Sequence, residues 1–180
     1  MSKSLLRSKI LKLRKLKYSR TELSFTKINS LIKKQKIINP IIGGYYPVSY
    51  EIDCLEIMKK FEIKKYRLSL PIIKNKNSME FYSYSKNFPL TVNKYGIPEP
   101  IERRLVLPNI LFVPLVAFDN RLFRIGYGGG YYDRYLNKYK KKRNICSIGF
   151  AFSFQEVMKV PNEKFDQKLD FIITEKKIYR

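Results

Sequence analysis

Arg124-Ile125-Gly126-Tyr127-Gly128-Gly129-Gly130-Tyr131-Tyr132-Asp133-Arg134 is the one stretch of this chain where glycines, aromatics and charges crowd together, and its flanks decide how the chain folds. Before it, residues 110–118 form an almost unbroken apolar run, the pattern of a strand buried on both faces of a parallel sheet. After it, residues 132–142 read as a helix with Asp133 in the first turn and lysines toward the end, which suits the helix dipole. Strand, glycine loop and helix in that order aim unpaired backbone N–H groups at an anion, and glycines let the backbone approach it without a Cβ in the way. Arg124 adds a forked, permanently charged donor where the loop begins. The loop matches neither G-x-x-x-x-G-K-[ST] nor G-x-G-x-x-G with a following acidic residue. On spacing alone, a tight turn stands beside the phosphate cradle as a reading.

At 180 residues the chain fits one domain spanning residues 1–180, and a domain of that size buries roughly 70% of the surface its unfolded form exposes. No disulfide or metal staple is needed, and Cys54 and Cys146, each among apolar neighbours, read as small buried hydrophobes of a reducing compartment. There is no histidine. Ser-His and Cys-His catalysis and histidine metal sites are therefore excluded, leaving carboxylates, Lys, Arg, Tyr and the substrate's own groups. The balance of 37 basic against 15 acidic residues gives +22, which favours anionic ligands, small molecules as well as RNA. Lysines are spread along the chain, and the 138–143 cluster, Lys-Tyr-Lys-Lys-Lys-Arg, reads first as a solvated helix end. No run of 18 apolar residues exists, so no membrane span is expected.

Along the chain, Leu6, Ile10, Leu13 and Leu16 mark one face of a helix over residues 3–17, and Lys3 and Arg7, four apart, share a side of it. Ser19-Arg20-Thr21-Glu22 is an S-x-x-E capping box, predicting a second helix from about Arg20 to Lys36. Residues 41–48 read as the first core strand, 54–61 as a short helix, 66–73 as a strand ending near Pro71, and 79–84 as a strand whose aromatics fill the sheet's edge. Residues 95–100 form a rigid loop, 145–152 a strand broken by Gly149, and 171–174 a closing strand.

The central string resembles the R-[LI]-G-x-G-x-G-[YF]-Y-D signature of the 5-formyltetrahydrofolate cyclo-ligase, or methenyltetrahydrofolate synthetase, family. Lys3 and Arg7 match its opening K-x-x-x-R, which also argues against reading residues 1–20 as a cleaved targeting peptide. The stretch from Tyr45 to Asp53 resembles Y-x-P-x-x-x-E-[IV]-[DE], the stretch from Gly96 to Pro100 G-I-x-E-P, and the stretch from Pro161 to Glu175 P-x-E-x-H-D-x-x-[LV]-D-x-[IV]-[IV]-T-E. Two positions depart from the pattern: Leu122 stands where the family has glycine, putting a left-handed turn there in question, and Phe165 replaces the common histidine.

The resemblance implies a Rossmann-like three-layer α/β/α domain with a mostly parallel central sheet and basic N-terminal helices. It implies a cytoplasmic ligase, expected to act as a monomer, that uses ATP and Mg²⁺ to cyclise 5-formyltetrahydrofolate to 5,10-methenyltetrahydrofolate through a phosphorylated formyl (imidate) intermediate. The implied ATP site comprises Lys3, Arg7, Arg124, Ile125, Gly126, Tyr127, Gly128, Gly129, Gly130, Tyr131 and Tyr132. The implied folate site comprises Tyr46, Glu51 and Tyr132; Arg124 and Tyr132 are the catalytic candidates, and Asp133 and Asp166 the candidate Mg²⁺ ligands. The rival classes are a basic RNA-binding protein and another phosphate-using enzyme of similar fold, with no membrane partner in any reading.

Overall fold

The computed structural model describes residues 2–101, 104–140 and 142–180. Its helices are α1 (Lys3–Lys17), α2 (Phe25–Lys34), α3 (Cys54–Ile63) and α4 (Tyr131–Tyr139), with a 3₁₀ turn at Ser153–Gln155. The strands are β1 (Ile41–Gly43), β2 (Arg67–Asn75), β3 (Ser78–Tyr84), β4 (Leu90–Val92), β5 (Pro98–Pro100), β6 (Leu105–Val106), β7 (Ile110–Pro114), β8 (Ala117–Phe118), β9 (Arg124–Ile125), β10 (Cys146–Phe150), β11 (Phe171–Ile173) and β12 (Ile178–Tyr179). Eight of them form one sheet in the order β12-β11-β10-β7-β1-β2-β3-β6. Every pairing from β11 to β2 is parallel, and antiparallel strands close both edges. This is the α/β class, with a mostly parallel central sheet, that the sequence predicts.

Strand β7 alternates cleanly between two cores, as a doubly covered strand must. Ile110 and Phe112 face a cluster shared with Ile28 and Ile32 of α2 and Ile57, Met58 and Phe61 of α3. Leu111 and Val113 face the opposite cluster, with Tyr135 and Leu136 of α4. Helix α1 belongs to neither layer. Its Leu6 and Ile10 pack with Val116, Ala117 and Ile125 against the β8–β9 hairpin, over one end of the sheet.

Several boundaries move for physical reasons. Helix α2 begins at Ser24, whose hydroxyl accepts from the Lys27 N–H, and not at the 19–22 capping box. Leu23 is buried in the main core, so the preceding residues must run extended to reach it. Strand β1 ends at Gly43, although the Gly44 N–H still donates to Ser69 O at 2.9 Å; Gly44 lies against Met58, where a Cβ would come within 2.1 Å of the sulfur. Strand β2 continues through Pro71 to Asn75; β1 has already ended opposite Ser69, so on that side the proline's missing N–H breaks no pairing of the central sheet. The apolar run expected as one strand splits after Pro114: the carbonyls of Leu115 and Val116 turn to accept from Gln155 Nε2 at 3.1 and 2.7 Å, and the chain leaves the sheet to form β8.

Strand β10 runs unbroken through Gly149, where a Cβ would meet Leu115 and Leu169 at 2.8 Å. The left-handed turn in question is present: Leu122 has φ +70° even without glycine, with its side chain buried. Helix α4 ends at Tyr139, short of the expected 142; Lys141 lies outside the described residues.

Candidate active site

The five parallel strands, taken in chain order, lie 2-1-3-4-5 across the sheet. In such a sheet the connections leaving the first and third strands part to opposite faces and open a crevice at their carboxyl ends. Those strands are β1 and β7. The segment after β1 carries Tyr46 and Glu51, and the segment after β7 leads through β8 and β9 into the glycine loop.

Within that loop, two arginines hold the carbonyls and leave the amides free. Arg7 Nε donates to Gly126 O at 2.8 Å, and Arg134 Nη2 donates to Gly129 O at 2.6 Å while its Nε reaches Asn77 O at 2.7 Å. Among the described residues no backbone N–H from Gly126 to Gly130 has a hydrogen-bond partner. Tyr127, Gly128 and Gly129 are exposed, and Gly130, at φ +64°, caps α4 without any side-chain bond. Free amides at a helix N-terminus are chemically suited to an anion. The Arg7 guanidinium stands beside it, 3.6 Å from where a Gly128 Cβ would lie, and Gly128 has φ +104°.

Lys3 and Arg124 are placed differently from the sequence reading. Lys3 Nζ pairs with Asp166 Oδ2 at 2.6 Å and Glu163 Oε1 at 3.1 Å; burial works to lower its pKa, but these bonds outweigh it and the net shift is upward. Arg124 does not face outward to an anion. Its side chain is 4% exposed, donating to Gln167 O at 2.8 Å and to Asp133 Oδ1 at 3.0 Å. Asp133 Oδ1 also accepts the Gln167 N–H at 2.9 Å, so Arg124 and Asp133 together pin the 163–167 segment under the loop. Asp133 Oδ2 is left without a partner among the described residues. No group of three or more Cys, Asp or Glu that could hold a metal occurs among them either. A nucleotide-borne Mg²⁺ needs only one or two carboxylates besides phosphate and water, so Asp133 Oδ2 fits it. Asp166 is placed alike: its Oδ2 serves Lys3 and the Glu163 N–H, and its Oδ1 has no partner among the described residues.

On the β1 side, Ser49 and Tyr50 both have positive φ, +48° and +63°. Such residues cost of order 1 kcal/mol or more each, and here they bend the chain so that Glu51 Oε2 accepts the Val48 N–H at 2.8 Å. Glu51 is 6% exposed and its Oε1 has no partner. Burial raises its pKa from 4.5 to about 7, against the opposing pull of the Val48 N–H, Arg14 and the Tyr127 hydroxyl. Tyr132 has a buried hydroxyl, also unpartnered, whose pKa burial raises well above the usual value. Tyr46 is half-buried, and Tyr131 lies under the Arg134 guanidinium at 5.1 Å.

Three contributors escape the sequence reading. Arg14, which the apolar pattern passes over, is 1% exposed, whereas Leu16, assigned to the packed face, is 83% exposed. The buried row is Leu6, Ile10 and Arg14, a strict four-residue spacing that an apolar-only pattern skips. Arg134 and Gln155 give no local signal of their carbonyl contacts. The basic cluster near the end of α4 is partly neutralised, with Lys140 Nζ 2.7 Å from Asp170.

Residues 1–175 match the model of the 5-formyltetrahydrofolate cyclo-ligase family. The chain is 33% identical over 147 residues to the 5-formyltetrahydrofolate cyclo-ligase of Haemophilus influenzae, covering 78% of this chain and 77% of that one. Its structure resembles the 5,10-methenyltetrahydrofolate synthetase of Aquifex aeolicus with a TM-score of 0.79 and 31% identity, over 100% of this chain and 93% of the other. It also resembles the synthetase of Mycoplasma pneumoniae, with a TM-score of 0.75 and 25% identity over 97% and 99% of the two chains. The motifs, the sheet order and these likenesses agree, and the chain belongs to the 5-formyltetrahydrofolate cyclo-ligase family.

Proposed function

We propose that this chain closes 5-formyltetrahydrofolate to 5,10-methenyltetrahydrofolate with ATP, releasing ADP and phosphate. The observation that carries the reading is one crevice holding two complementary halves: a loop of unpaired amides flanked by Arg7, and a buried Glu51 carboxyl with one oxygen unpaired. The first half suits a triphosphate. The second suits the amino-pyrimidine edge of a pterin, because a carboxylate accepts two parallel hydrogen bonds from it.

A formamide carbon is a poor electrophile. Transfer of the γ-phosphoryl group to the formyl oxygen makes an imidate phosphate; N10 of the folate then bonds to that carbon and gives up its proton, the carbon–oxygen bond breaks, and phosphate leaves, able to carry that proton. Such chemistry asks the protein for positioning and charge neutralisation more than for a nucleophile, which suits a chain without histidine. Arg7 and the amides from Gly126 to Tyr131 take the phosphates. Lys3 supplies charge from its pairing with Asp166, and Arg124 holds the loop in place. Tyr132, whose hydroxyl is close enough to Glu51 to feel its charge, donates to the formyl end of the folate while Tyr46 walls the pocket. Asp133 Oδ2 would hold Mg²⁺, which neutralises phosphate charge when bound.

We treat residues 1–180 as one unit acting as a monomer, since the proposed groups come from Lys3 through Gln167 of one chain. We place it in the cytoplasm, where its two buried free thiols suit a reducing compartment. Among the described residues no helix is long and apolar enough to cross a membrane. Purified protein mixed with 5-formyltetrahydrofolate, Mg²⁺ and ATP should develop the absorbance of methenyltetrahydrofolate. No absorbance with any nucleoside triphosphate would end this reading.

A further inference from the structure

Arg14 lies two helical turns beyond Arg7 on the same side of α1. It is almost entirely buried, at 1% exposure, yet only two of its three nitrogens are satisfied: Nη1 donates to Leu115 O at 3.2 Å, Nη2 donates to the Tyr127 hydroxyl, and Nε has no partner. A buried guanidinium with an idle donor is costly unless something completes it. Two more unpartnered buried groups belong to the same crevice, Glu51 Oε1 and the Tyr132 hydroxyl. Tyr127 joins its two halves. Its backbone sits in the loop of free amides, while its hydroxyl reaches down to Arg14, whose guanidinium lies 5.6 Å from its ring, and close enough to Glu51 to favour the ionised carboxylate.

We propose that Arg14 and Tyr127 interlock the glycine loop with the Glu51 pocket, so that the anion bound by the loop and the donor-bearing ring bound by Glu51 strengthen one another's binding. A ring that donates to Glu51 holds it as a carboxylate. That carboxylate, with Arg14, fixes the Tyr127 hydroxyl, and a fixed Tyr127 side chain holds the loop amides where an anion needs them. Both residues are positioning residues, acting through Glu51 and the loop backbone. The inference rests on the assignment of the loop to ATP and of Glu51 to the folate.

The test is calorimetric titration of AMP-PNP with Mg²⁺, with and without saturating 5-formyltetrahydrofolate, on the full chain as wild type, Tyr127→Phe, Arg14→Lys and Arg14→Met. The readout is the ratio of the two AMP-PNP affinities, so each variant's own baseline cancels. In the wild type the folate should tighten AMP-PNP by about fivefold or more, the lower end of typical site-to-site coupling. The reverse titration must give the same ratio, because binding linkage is reciprocal. Tyr127→Phe should bring the ratio close to one, and Arg14→Lys, which keeps the charge but not the fork, should reduce it. A ratio near one in the wild type with both ligands bound, or an undiminished ratio in Tyr127→Phe, overturns the interlock and leaves the proposed function standing. Failure of either ligand to bind the wild type overturns both. Should the Arg14 variants fail to fold, Tyr127→Phe decides alone, since it removes a single hydroxyl and keeps the ring.

Discussion

Glu51 shows how much one side chain can be asked to bear. Its folded-state pKa, about 7, lies above the unfolded 4.5, so between those values the folded chain binds more protons than the unfolded one. At 1.36 kcal/mol per unit, ~3 kcal/mol of stability is present below the unfolded pKa and is lost as pH rises through the folded one. Urea unfolding of the ligand-free protein at about pH 4.5, 6 and 8 should show that decline, and Glu51→Gln should flatten it while raising the KM for the folate. An identical pH slope in the mutant would show that Glu51 does not carry the loss. Leu122 poses the opposite balance, a strained backbone with a buried side chain. Glycine there would relieve about 1 kcal/mol of left-handed strain but give up the burial of a leucine, about 2 to 5 kcal/mol on truncation. Leu122→Gly should therefore lower the thermal midpoint; a rise would mean that strain outweighs packing at this turn.

The glycine loop and α1 work as one element, since Arg7 grips a loop carbonyl from a helix more than a hundred residues away in sequence. Which glycine matters for which reason is legible only from the fold. Gly128 and Gly130 have positive φ, so alanine there strains the backbone with or without a ligand. Gly129 has no such angle, but its Cβ would meet the Tyr131 ring at 2.6 Å. Gly126 is the clean probe: no atom lies within 4 Å of its Cβ position and its φ is not left-handed. Gly126→Ala should keep the melting midpoint yet weaken ATP, because only a bound phosphate would meet the new methyl. Full activity together with an unchanged midpoint would remove Gly126 from the cradle. Arg7→Ala should weaken apparent ATP affinity by about 1.5 to 3 kcal/mol, the range for hydrogen bonds to charged groups, and the folate far less; equal effects on both substrates would reassign Arg7 to holding the loop alone.

Across the whole molecule, +22 sets the electrostatics. Six ion pairs among the described residues offset little of that excess, so like-charge repulsion should dominate the response to salt. The Debye length shrinks from about 30 Å at 0.01 M to about 8 Å at 0.15 M, and the thermal midpoint should rise over that interval. A fall would mean that the ion pairs outweigh the repulsion. The fold tolerates such charge because it lies outside two dry cores: β7 buries four successive residues completely, Ile110 to Val113.

Amino-acid sequence by itself determined the fold class, the extent of α1, and the place of the glycine loop between a core strand and a helix, because these follow from local periodicity and from a motif whose glycines and aromatics stand in unbroken order. Even the Leu122 turn, in question for want of a glycine, forms, since the buried side chain and the Asp119 carbonyl hold it from either side. Only the tertiary structure decided that Arg124 turns inward to Asp133 and Gln167, that Arg14 is buried and Leu16 exposed, and that Ser24 rather than Ser19 starts α2. Each of those outcomes depends on partners scores of residues away or on which face of a helix meets the core, and neither is encoded in any window short enough to read. A guanidinium goes wherever unpaired carbonyls and carboxylates await it, and these are placed only when β7, β10 and the 163–167 segment have come together.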